Sequence, residues 1–426
     1  MRSIEDRSQT RLKISFPWAE ETKSIEVPDR NLLEVVHPKT VFVGDENRVV
    51  RESLRKPLNA SPIEEFVQSH QSFLLVVNDA TRPTPTATVF ETLYPMLRES
   101  TYGVTVATGS HRQPTEQEYK SILGRHYGVL RERASAHDAV RSTTVNLGRT
   151  SFGTEITVNE AIEGFDALIV IGSVEPHYFA GFTGGRKGIS PGMAAYSTIE
   201  ANHKLALEPE AATLRLQGNP VHDDLEQCIR TILREHDIFA VNMVLDANHR
   251  VYKTASGHVL DSLYAAAEHS RDIFVQEVPE KADVVIAVTH PPLDINLYQA
   301  QKALENAKAV VRKNGILILV ARCPDGIGPP NFHQLLAGAD SPTEVFSRIR
   351  EGYRLGYHKA AKIADMLINH DIYAVTNLQD DQLKAAFMKP FRNGQQALNE
   401  ALAKSGRDAT VLVLLDAGVT VPVVKT

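Results

Sequence analysis

Glycines and positively charged residues occur together in one segment of the chain, between Glu175 and Gly192. A glycine-rich backbone lets N–H groups approach an anion closely, and a neighbouring hydroxyl and cations add donors and charge. The residues that would do this are Thr183, Gly184, Gly185, Arg186 and Lys187. Their spacing fits neither G-x-x-x-x-G-K-[ST] nor G-x-G-x-x-G. The segment therefore predicts a different kind of phosphate-binding loop, and the alternative is a glycine-rich turn with solvated cations.

Lys187 has a second candidate role in the same segment. A lysine beside another cation gives up its proton more readily and can then act as a nucleophile or a covalent anchor. The alternative is an exposed lysine that forms an ion pair, which is what most lysines do. The sequence leaves both readings of Lys187 open.

Three of the 16 histidines stand out by their position. His111 and His177 each follow an apolar run, and His203 ends a stretch with helical spacing after Pro191. Neutral imidazoles suit proton transfer and borderline metals such as nickel or zinc. Their spacing is not that of an HExxH motif, so the pattern alone favours acid/base work over a metal site.

Charged and polar residues with a binding character also follow two other apolar runs. Asp79 and Arg82 lie three residues apart around a turn, where a carboxylate could orient an imidazole and a cation could bind a carboxylate or phosphate. Tyr298 and Lys302 would share one face of a helix if Tyr298 lies in its first turn. The alternatives are a local ion pair that caps a helix and a solvated helix start.

Strands and helices alternate along most of the chain. Helical spacing occurs at Ile63–Ser69, Ala87–Leu97, Val221–Arg234, Pro342–Tyr353 and Asp380–Lys404. Buried strands are predicted from apolar, β-branched runs at Phe73–Asp79, Val104–Thr108, Asp166–Ser173, Ile238–Leu245, Ala282–Thr289, Gly315–Ala321, Ile372–Asn377 and Thr410–Asp416. This alternation predicts an α/β protein with mainly parallel, Rossmann-like sheets, whose ligands bind beyond the carboxyl ends of the strands.

A length of 426 residues favours two domains with the active site in the cleft between them. The polar stretch Glu277–Lys281 precedes a new strand and is the expected boundary. We therefore predict a cofactor-binding and catalytic domain at residues 1–278 and a closing domain at residues 281–408. We also expect the last strand, in residues 409–426, to pack back on the first domain.

Composition excludes several classes of protein. A formal charge of −6 argues against a nucleic-acid surface. No apolar run approaches the roughly 18 residues of a membrane span, and the chain begins with charges where a signal peptide is apolar. Two distant thiols, Cys228 and Cys323, form neither a disulfide framework nor a CxxC site. We expect a cytoplasmic protein that binds neither nucleic acid nor membrane.

Several motifs together resemble the lactate racemase family. They are NDATRPTP, ATGSHRQPTEQE, EPHYFAGFTGGRKGISPG, ANH and LYQAQK, together with LKISFPWAEETKSIEVPD and RESLRKPLNASPIEEF near the start. The resemblance covers nearly the whole chain. It implies an isomerase that inverts a small anionic 2-hydroxy acid.

The resemblance also implies a cofactor and a role for each motif residue. The cofactor is a nickel-pincer nucleotide, Ni(II) pyridinium-3,5-bisthiocarboxylic acid mononucleotide, which binds nickel through one carbon and two sulfurs. Lys187 would hold it, either covalently or by a close ionic contact, and His203 would be the protein ligand of nickel. Proteins that synthesise this cofactor are expected partners.

The remaining roles concern the substrate. His111 and His177 correspond to the paired acid/base residues, Arg82 and Lys302 to the cations that stabilise the substrate, and Asp79, Tyr298 and Gln299 to their neighbours in the same motifs. Removing the α proton beside a carboxylate is difficult, so hydride transfer to a cofactor is the expected route to the flat 2-keto acid. The two histidines would then serve the two hydroxyl orientations.

One departure from the family pattern concerns the substrate. His358 aligns with a bulky tryptophan of the lactate enzymes, which favours a 2-hydroxy acid other than lactate, larger or with a second polar or anionic group. Two other functions stay open at this point: a zinc-dependent hydrolase that uses the same histidines, and a non-catalytic protein that binds or delivers a nucleotide cofactor. The choice between racemase and epimerase and the oligomeric state are open as well.

Overall fold

The computed structural model describes residues 10–425 and divides the chain into two compact units. One unit is Lys39–Ile273, and the other combines the N-terminal segment up to Pro38 with the chain from Phe274 onward. We call them the catalytic unit and the closing unit, after the roles expected above. The charged residues 1–9, on which the expectation of no signal peptide depends, lie outside the described part of the chain.

The strands cover both units. In chain order they are β1 (Arg11–Trp18), β2 (Glu21–Pro28), β3 (Leu32–Val36), β4 (Ser72–Asn78), β5 (Thr101–Ala107), β6 (Ala134–Ala136), β7 (Thr144–Arg149), β8 (Glu155–Asn159), β9 (Ala167–Ser173), β10 (Pro176–His177), β11 (Gly181–Phe182), β12 (Asp237–Leu245), β13 (Val251–His258), β14 (Val275–Val278), β15 (Ala282–Val288), β16 (Val311–Val320), β17 (Asp371–Val375), β18 (Lys389–Pro390), β19 (Val411–Leu414) and β20 (Val421–Val424).

The α-helices mostly connect consecutive strands. They are α1 (Glu46–Arg55), α2 (Ile63–Gln68), α3 (Thr86–Leu93), α4 (Glu116–Leu123), α5 (Tyr127–Leu130), α6 (Arg186–Ile189), α7 (Tyr196–Lys204), α8 (Pro220–Ile232), α9 (Val259–Phe274), α10 (Leu297–Lys308), α11 (Pro330–Ala337), α12 (Pro342–Glu351), α13 (Tyr357–Asn369), α14 (Asp380–Ala385) and α15 (Gly394–Ser405). Local chemistry sets several of the starts. The Asn219 side chain accepts from the first N–H groups of α8, and Pro220 occupies its first turn.

The catalytic unit is built on a six-stranded sheet with the order β13-β12-β9-β4-β5-β6. All neighbours are parallel except β13, which pairs antiparallel with β12. Every residue of β9 is buried, because helices cover both faces of the sheet and leave no side for water.

The closing unit has a second six-stranded sheet with the order β18-β17-β16-β15-β19-β3, and all its neighbours are parallel. The hairpin β1–β2 packs its alternate residues, including Ile14, Phe16 and Ile25, into the apolar cluster that β15, β16 and α15 form on one face. The mainly parallel α/β architecture predicted from the sequence is confirmed in both units.

The predicted strands are all present, and the four shorter predicted helices are also found. The largest difference at a strand end is at β16, which begins at Val311 instead of Gly315. The predicted helical segment Asp380–Lys404 is two helices, α14 and α15, separated by the short strand β18. Pro390 in that strand lacks an N–H group, and the Asn393 side chain caps a new helix start, so the helix cannot run through.

The two units are assembled from different parts of the chain than we predicted. The second boundary, at Phe274, lies close to the expected one, but the N-terminal segment up to Pro38 belongs to the closing unit because β3 pairs with β19. Strand β19 lies between β15 and β3, and the final strand β20 pairs with β14, so residues 409–425 stay in the closing unit and do not return to the catalytic unit. A five-residue apolar run carries no signal for the sheet edge that it joins, which is why the sequence did not place β3.

Among residues 10–425, none of the helices combines the length and apolar character needed to cross a bilayer. The two cysteines are free and buried, as expected of idle thiols.

The hairpin packing predicts that Ile25→Ala destabilises the closing unit, although Ile25 lies about 250 residues before most of that unit's sequence. Ile25 is 2% exposed, and removing its buried side-chain atoms should lower the free energy of unfolding by about 2–5 kcal/mol. Denaturant unfolding measures the loss, and hydrogen exchange should accelerate in β15 and β16. Leu12→Ala on the same hairpin, at a site 46% exposed, is the control and should cost less than about 0.5 kcal/mol. Equal losses in the two variants would contradict this packing.

Candidate active site

The predicted catalytic residues of the first unit come together at one edge of its sheet. β5, β4 and β9 are parallel neighbours, so their carboxyl ends lie side by side. His111 follows β5, Asp79 and Arg82 follow β4, and His177 follows β9. Hydrogen bonds of His111 with Asp79 and of Arg82 with Glu175 link these turns to one another.

His111 is oriented by Asp79. The Nδ1 atom of His111 lies 2.7 Å from Oδ2 of Asp79, and the backbone N–H and the hydroxyl of Thr81 donate to the other carboxylate oxygen. Burial alone would raise the pKa of Asp79, but the hydrogen bonds from His111 and Thr81 and the charges of His111 and Arg82 lower it below the usual value. An ionised carboxylate only accepts, so His111 donates from Nδ1, and its Nε2 is directed away from Asp79.

Arg82 forms a short ion pair with Glu175, through Nη1 and Oε1. Both side chains are largely shielded from water, at 19% and 14% exposure. The predicted alternative for Arg82, a local pair with Asp79, is not what the structure shows. Glu175 lies in a motif that we singled out, but no pattern in the sequence predicts its contact with Arg82.

The glycine-rich segment serves a different purpose from the predicted one. Thr183 accepts from the N–H of Glu175 through its hydroxyl and donates to the carbonyl of Ser173. The N–H of Gly185 donates to Asn242, and a Cβ on Gly184 would lie 2.7 Å from Leu263. Thr183, Gly184 and Gly185 therefore allow close packing of the loop against the sheet and α9, and their groups are engaged inside the protein.

Arg186 also differs from its predicted role as a cofactor ligand. Its side chain is fully buried, and it donates to the backbone carbonyls of Ala180, Phe182 and Thr183 and, through Nε, to Nδ1 of His222. Burial lowers the pKa of Arg186 to about 10, which still leaves it charged at neutral pH. Four of its five N–H donors are engaged within the protein, so Arg186 ties the loop together.

His222 is the unpredicted partner that makes this burial of a charge feasible. Burial, with the nearby charge of Arg186, lowers the pKa of His222 to about 3, so its ring is neutral and can accept at Nδ1. Its Nε2 lies 3.1 Å from the hydroxyl of Tyr264 and 3.3 Å from the carboxylate of Glu226. The ring therefore connects the buried guanidinium to a carboxylate nearer the surface.

Lys187, His177 and His203 surround the ring of Phe179. Lys187 alone among residues 176–190 is not fully buried. Its Nζ lies 3.1 Å from Nε2 of His177 and 5.5 Å from the centre of the Phe179 ring. The His203 ring packs edge-on against the same phenyl ring at 5.1 Å. The residues predicted to anchor the cofactor, transfer a proton and bind nickel thus lie around one aromatic side chain.

His203 is held in place through the residue before it. Asn202 is buried and donates to the carboxylate of Asp224 and to the carbonyl of Val221, which fixes α7 against α8. The Thr150 hydroxyl donates to the same carboxylate at 2.5 Å. This explains the asparagine of the ANH motif: it positions the helix turn that carries His203.

The predicted residues of the closing unit lie together in the first turns of α10. Tyr298, Gln299 and Lys302 follow the cap residue Asn296, whose side chain accepts from the N–H of Gln299. Lys359 on α13 donates to the carbonyl of Tyr298, and its ammonium group lies 3.7 Å from the centre of the tyrosine ring. Lys302 and Lys359 are 9% and 3% exposed, so two cations lie in the interior of this unit.

His358, the predicted departure from the family pattern, is also an interior residue. It is fully buried, and its Nδ1 lies 2.8 Å from the hydroxyl of Tyr353. Among residues 10–425, no three or more His, Cys, Asp or Glu side chains form a group that could hold a metal ion.

The environment of His222 predicts a distinct pH dependence of stability. The folded protein keeps His222 neutral down to about pH 3, whereas the same side chain in the unfolded chain takes up a proton near pH 6.5. The contribution of His222 to the free energy of unfolding is therefore fully present above pH 6.5 and is lost as the pH falls. Between pH 7 and pH 5 the parent should lose about 2 kcal/mol more than His222→Gln, whose amide oxygen accepts without titrating. Denaturant unfolding at both pH values measures this. The control His249→Gln, at an exposed site, should keep the parent's pH dependence of stability. If His222→Gln also kept it, the role of the His222 ring would be contradicted.

Comparison with known proteins gives a consistent relationship. Residues 18–214 match the model of the lactate racemase N-terminal domain, and residues 277–423 match that of the lactate racemase C-terminal domain. The lactate racemase of Thermoanaerobacterium thermosaccharolyticum is 29% identical over 425 residues, covering 96% of this chain and 98% of that protein. The lactate racemase of Lactiplantibacillus plantarum is 29% identical over 420 residues, covering 95% and 98%.

Solved structures agree with these matches. The lactate racemase apoprotein of Thermoanaerobacterium thermosaccharolyticum superposes with a TM-score of 0.89 at 27% identity, over 97% of this chain and 100% of that one. A Thermotoga maritima protein, at 19% identity and a TM-score of 0.71 over 90% of this chain and 100% of that one, shares the fold. Since the two domain models together match most of the residues, the chain belongs to the lactate racemase family.

Proposed function

We propose that this protein is a racemase or epimerase of a small 2-hydroxy acid that works with a nickel-pincer nucleotide. One observation carries the proposal: two histidines from separate strand ends, each held through its Nδ1 atom, lie beside the paired cation Arg82 at one sheet edge. Related proteins named lactate racemases support the reaction class. The residues themselves support a general acid and a general base that act on one bound 2-hydroxy acid.

The two histidines are held in complementary ways. His111 donates from Nδ1 to Asp79, so its Nε2 can take a proton from a substrate hydroxyl. His177 accepts at Nδ1 from the N–H of Ala180 at 3.3 Å, so its neutral ring carries the proton on Nε2. The two rings are thus held through Nδ1 in opposite senses, and a pair of imidazoles suits inversion because the hydroxyl proton leaves on one side and returns on the other.

Lys187 would hold the cofactor. Its Nζ lies 3.1 Å from Nε2 of His177, so the amine and the imidazole share one hydrogen bond. An amine that gives up its proton can bond covalently, and the partial exposure of Lys187 leaves room for a bound molecule. This position suits either a covalent or an ionic link to the cofactor.

His203 would supply the one protein donor that nickel needs, since the pincer brings three others. Its ring packs on Phe179 next to Lys187, so the anchoring amine and the metal ligand fit a single bound group. When bound, this cofactor would supply hydride acceptance and return at carbon 2 of the substrate.

The substrate carboxylate would be held by cations from both units. Arg82 stands at the strand edge of the catalytic unit, and Lys302 lies on α10 with Tyr298 and Gln299 in the closing unit. We propose that these cations fix the carboxylate while the flat keto acid turns. The replacement of tryptophan by His358 favours an acid other than lactate, although the interior position of His358 gives this preference no added support.

The alternative functions account for less of the site. A zinc hydrolase would need several protein ligands around one ion, and the histidines here are committed to separate partners. A non-catalytic carrier would have no use for two imidazoles held through Nδ1 in opposite senses. Racemisation uses every one of these features.

The test of the function is inversion by cofactor-loaded protein. The chain is produced together with the proteins that synthesise the cofactor, and single enantiomers of lactate and of larger or dicarboxylic 2-hydroxy acids are offered. Chiral chromatography should show at least one acid converted to its opposite configuration at carbon 2. Loaded protein that inverts no acid of the panel would contradict the proposal.

The complementary histidines predict a division of labour between the two directions. His111→Ala and His177→Ala should each lower net inversion about a hundredfold to ten-thousandfold, because loss of a general acid or base has this effect. Each variant should still convert one enantiomer to the keto acid in a single turnover, with opposite preferences. Rapid quenching and quantification of the keto acid from each pure enantiomer measure this. Identical responses of the two variants to both enantiomers would show that the assignment is wrong.

His203 predicts the metal content of the loaded protein. His203→Ala should lose most of its nickel on desalting, because no other protein donor is expected, while its thermal midpoint stays near that of the parent. Elemental analysis per polypeptide measures the nickel. The control His249→Ala lies at an exposed site and should retain nickel as the parent does. Full nickel occupancy in His203→Ala would contradict its role as ligand.

A further inference from the structure

We propose that Glu175 is a positioning residue that fixes one end of the Arg82 guanidinium and leaves its other edge to receive the substrate carboxylate. The inference rests on the proposed function, since it assigns Arg82 to the substrate. It goes beyond that function because it gives Glu175 a part in setting the balance between affinity and turnover.

The geometry of the pair is one-sided. Glu175 contacts Nη1 of Arg82 through a single oxygen, Oε1. Within the described part of the chain, the Arg82 side chain makes no other hydrogen bond, so the edge formed by Nε and Nη2 is not engaged. That edge is the planar fork that binds a carboxylate with two parallel hydrogen bonds.

Glu175 is itself held rigidly. Its backbone N–H donates to the hydroxyl of Thr183, and its carbonyl accepts from the N–H of Thr183, each at 2.9 Å. Thr183 is tied in turn to the carbonyl of Ser173 at the end of β9. A carboxylate on so fixed a backbone can define the direction of a flexible arginine, which a surface ion pair cannot do.

The pair also sets the charge that a substrate meets. The two side chains are mostly shielded from water, so the charge of Glu175 offsets that of Arg82 more effectively than at a surface. A second carboxylate then gains less from Arg82 than it would from an unpaired arginine. Glu175 should therefore weaken the binding of the substrate while it improves the alignment of the bound acid.

This balance gives Glu175→Gln a signature that loss of structure does not share. The amide keeps the size and an acceptor oxygen but removes the charge. Binding should tighten, so that KM falls severalfold, while kcat falls about ten- to a hundredfold because the guanidinium is no longer held in one direction. A merely structural residue would raise KM, lower kcat and lower the thermal midpoint together.

The experiment compares loaded parent, Glu175→Gln and Glu163→Gln, which makes the same change at an exposed site. The substrate is the acid that the parent inverts best, and kcat and KM are measured for each protein. A second measurement needs no turnover: calorimetry with propanoate, which is lactate without its 2-hydroxyl group. Glu175→Gln should bind this acid severalfold more tightly than the parent, and Glu163→Gln should bind it as the parent does.

The outcomes separate the two proposals. Suppose that the parent is active. If Glu175→Gln leaves kcat and KM unchanged, or lowers kcat and raises KM, the role of Glu175 is overturned and the proposed function stands. An inactive parent contradicts the function, and calorimetry then decides on Glu175 by itself. Equal affinity of parent and variant, including no binding by either, overturns the inference.

Discussion

The site of this protein depends on one buried charge. The Arg186 guanidinium is fully buried, and it is stabilised by three backbone carbonyls and the neutral ring of His222. A buried charge is tolerated only when its donors are satisfied, so the backbone around it has little freedom to move. That backbone runs from Ala180 to Thr183, between His177 and Lys187. The relative position of these two residues is therefore set by a side chain that does not touch a ligand.

The same logic extends along the sheet edge. Thr183 fixes Glu175, Glu175 holds Arg82, the backbone N–H of Arg82 donates to the carbonyl of Asp79, and Asp79 orients His111. Three parallel strands bring these turns within reach, but it is this chain of polar contacts that sets their directions. A substitution at one of these residues should alter the orientation of the next, since each side chain is oriented by the one before it.

The sequence predicted those features that depend on local pattern. Buried β-branched runs identified the strands, and parallel strand ends placed Asp79, His111 and His177 near one another. The same reasoning could not show that Arg186 points inward, because a cation among glycines is equally typical of an anion site. Nor could it find His222, which lies 36 residues further along in a helix and carries no motif. Glu175 as the partner of Arg82 and β3 as the partner of β19 likewise depend on contacts between distant segments, for which one sequence holds no signal.

The charges of the two units suggest why the proposed reaction needs both of them. At the strand edge, Asp79 and Glu175 are two carboxylates facing the cation Arg82, with His111 held as a hydrogen-bond donor to Asp79. An anionic substrate gains little net attraction from such a set, which serves to direct it. The closing unit holds Lys302 and Lys359 in its interior, where a cation is screened less than at a surface. On the proposed function, the catalytic unit would therefore orient the acid, and the closing unit would supply most of the attraction.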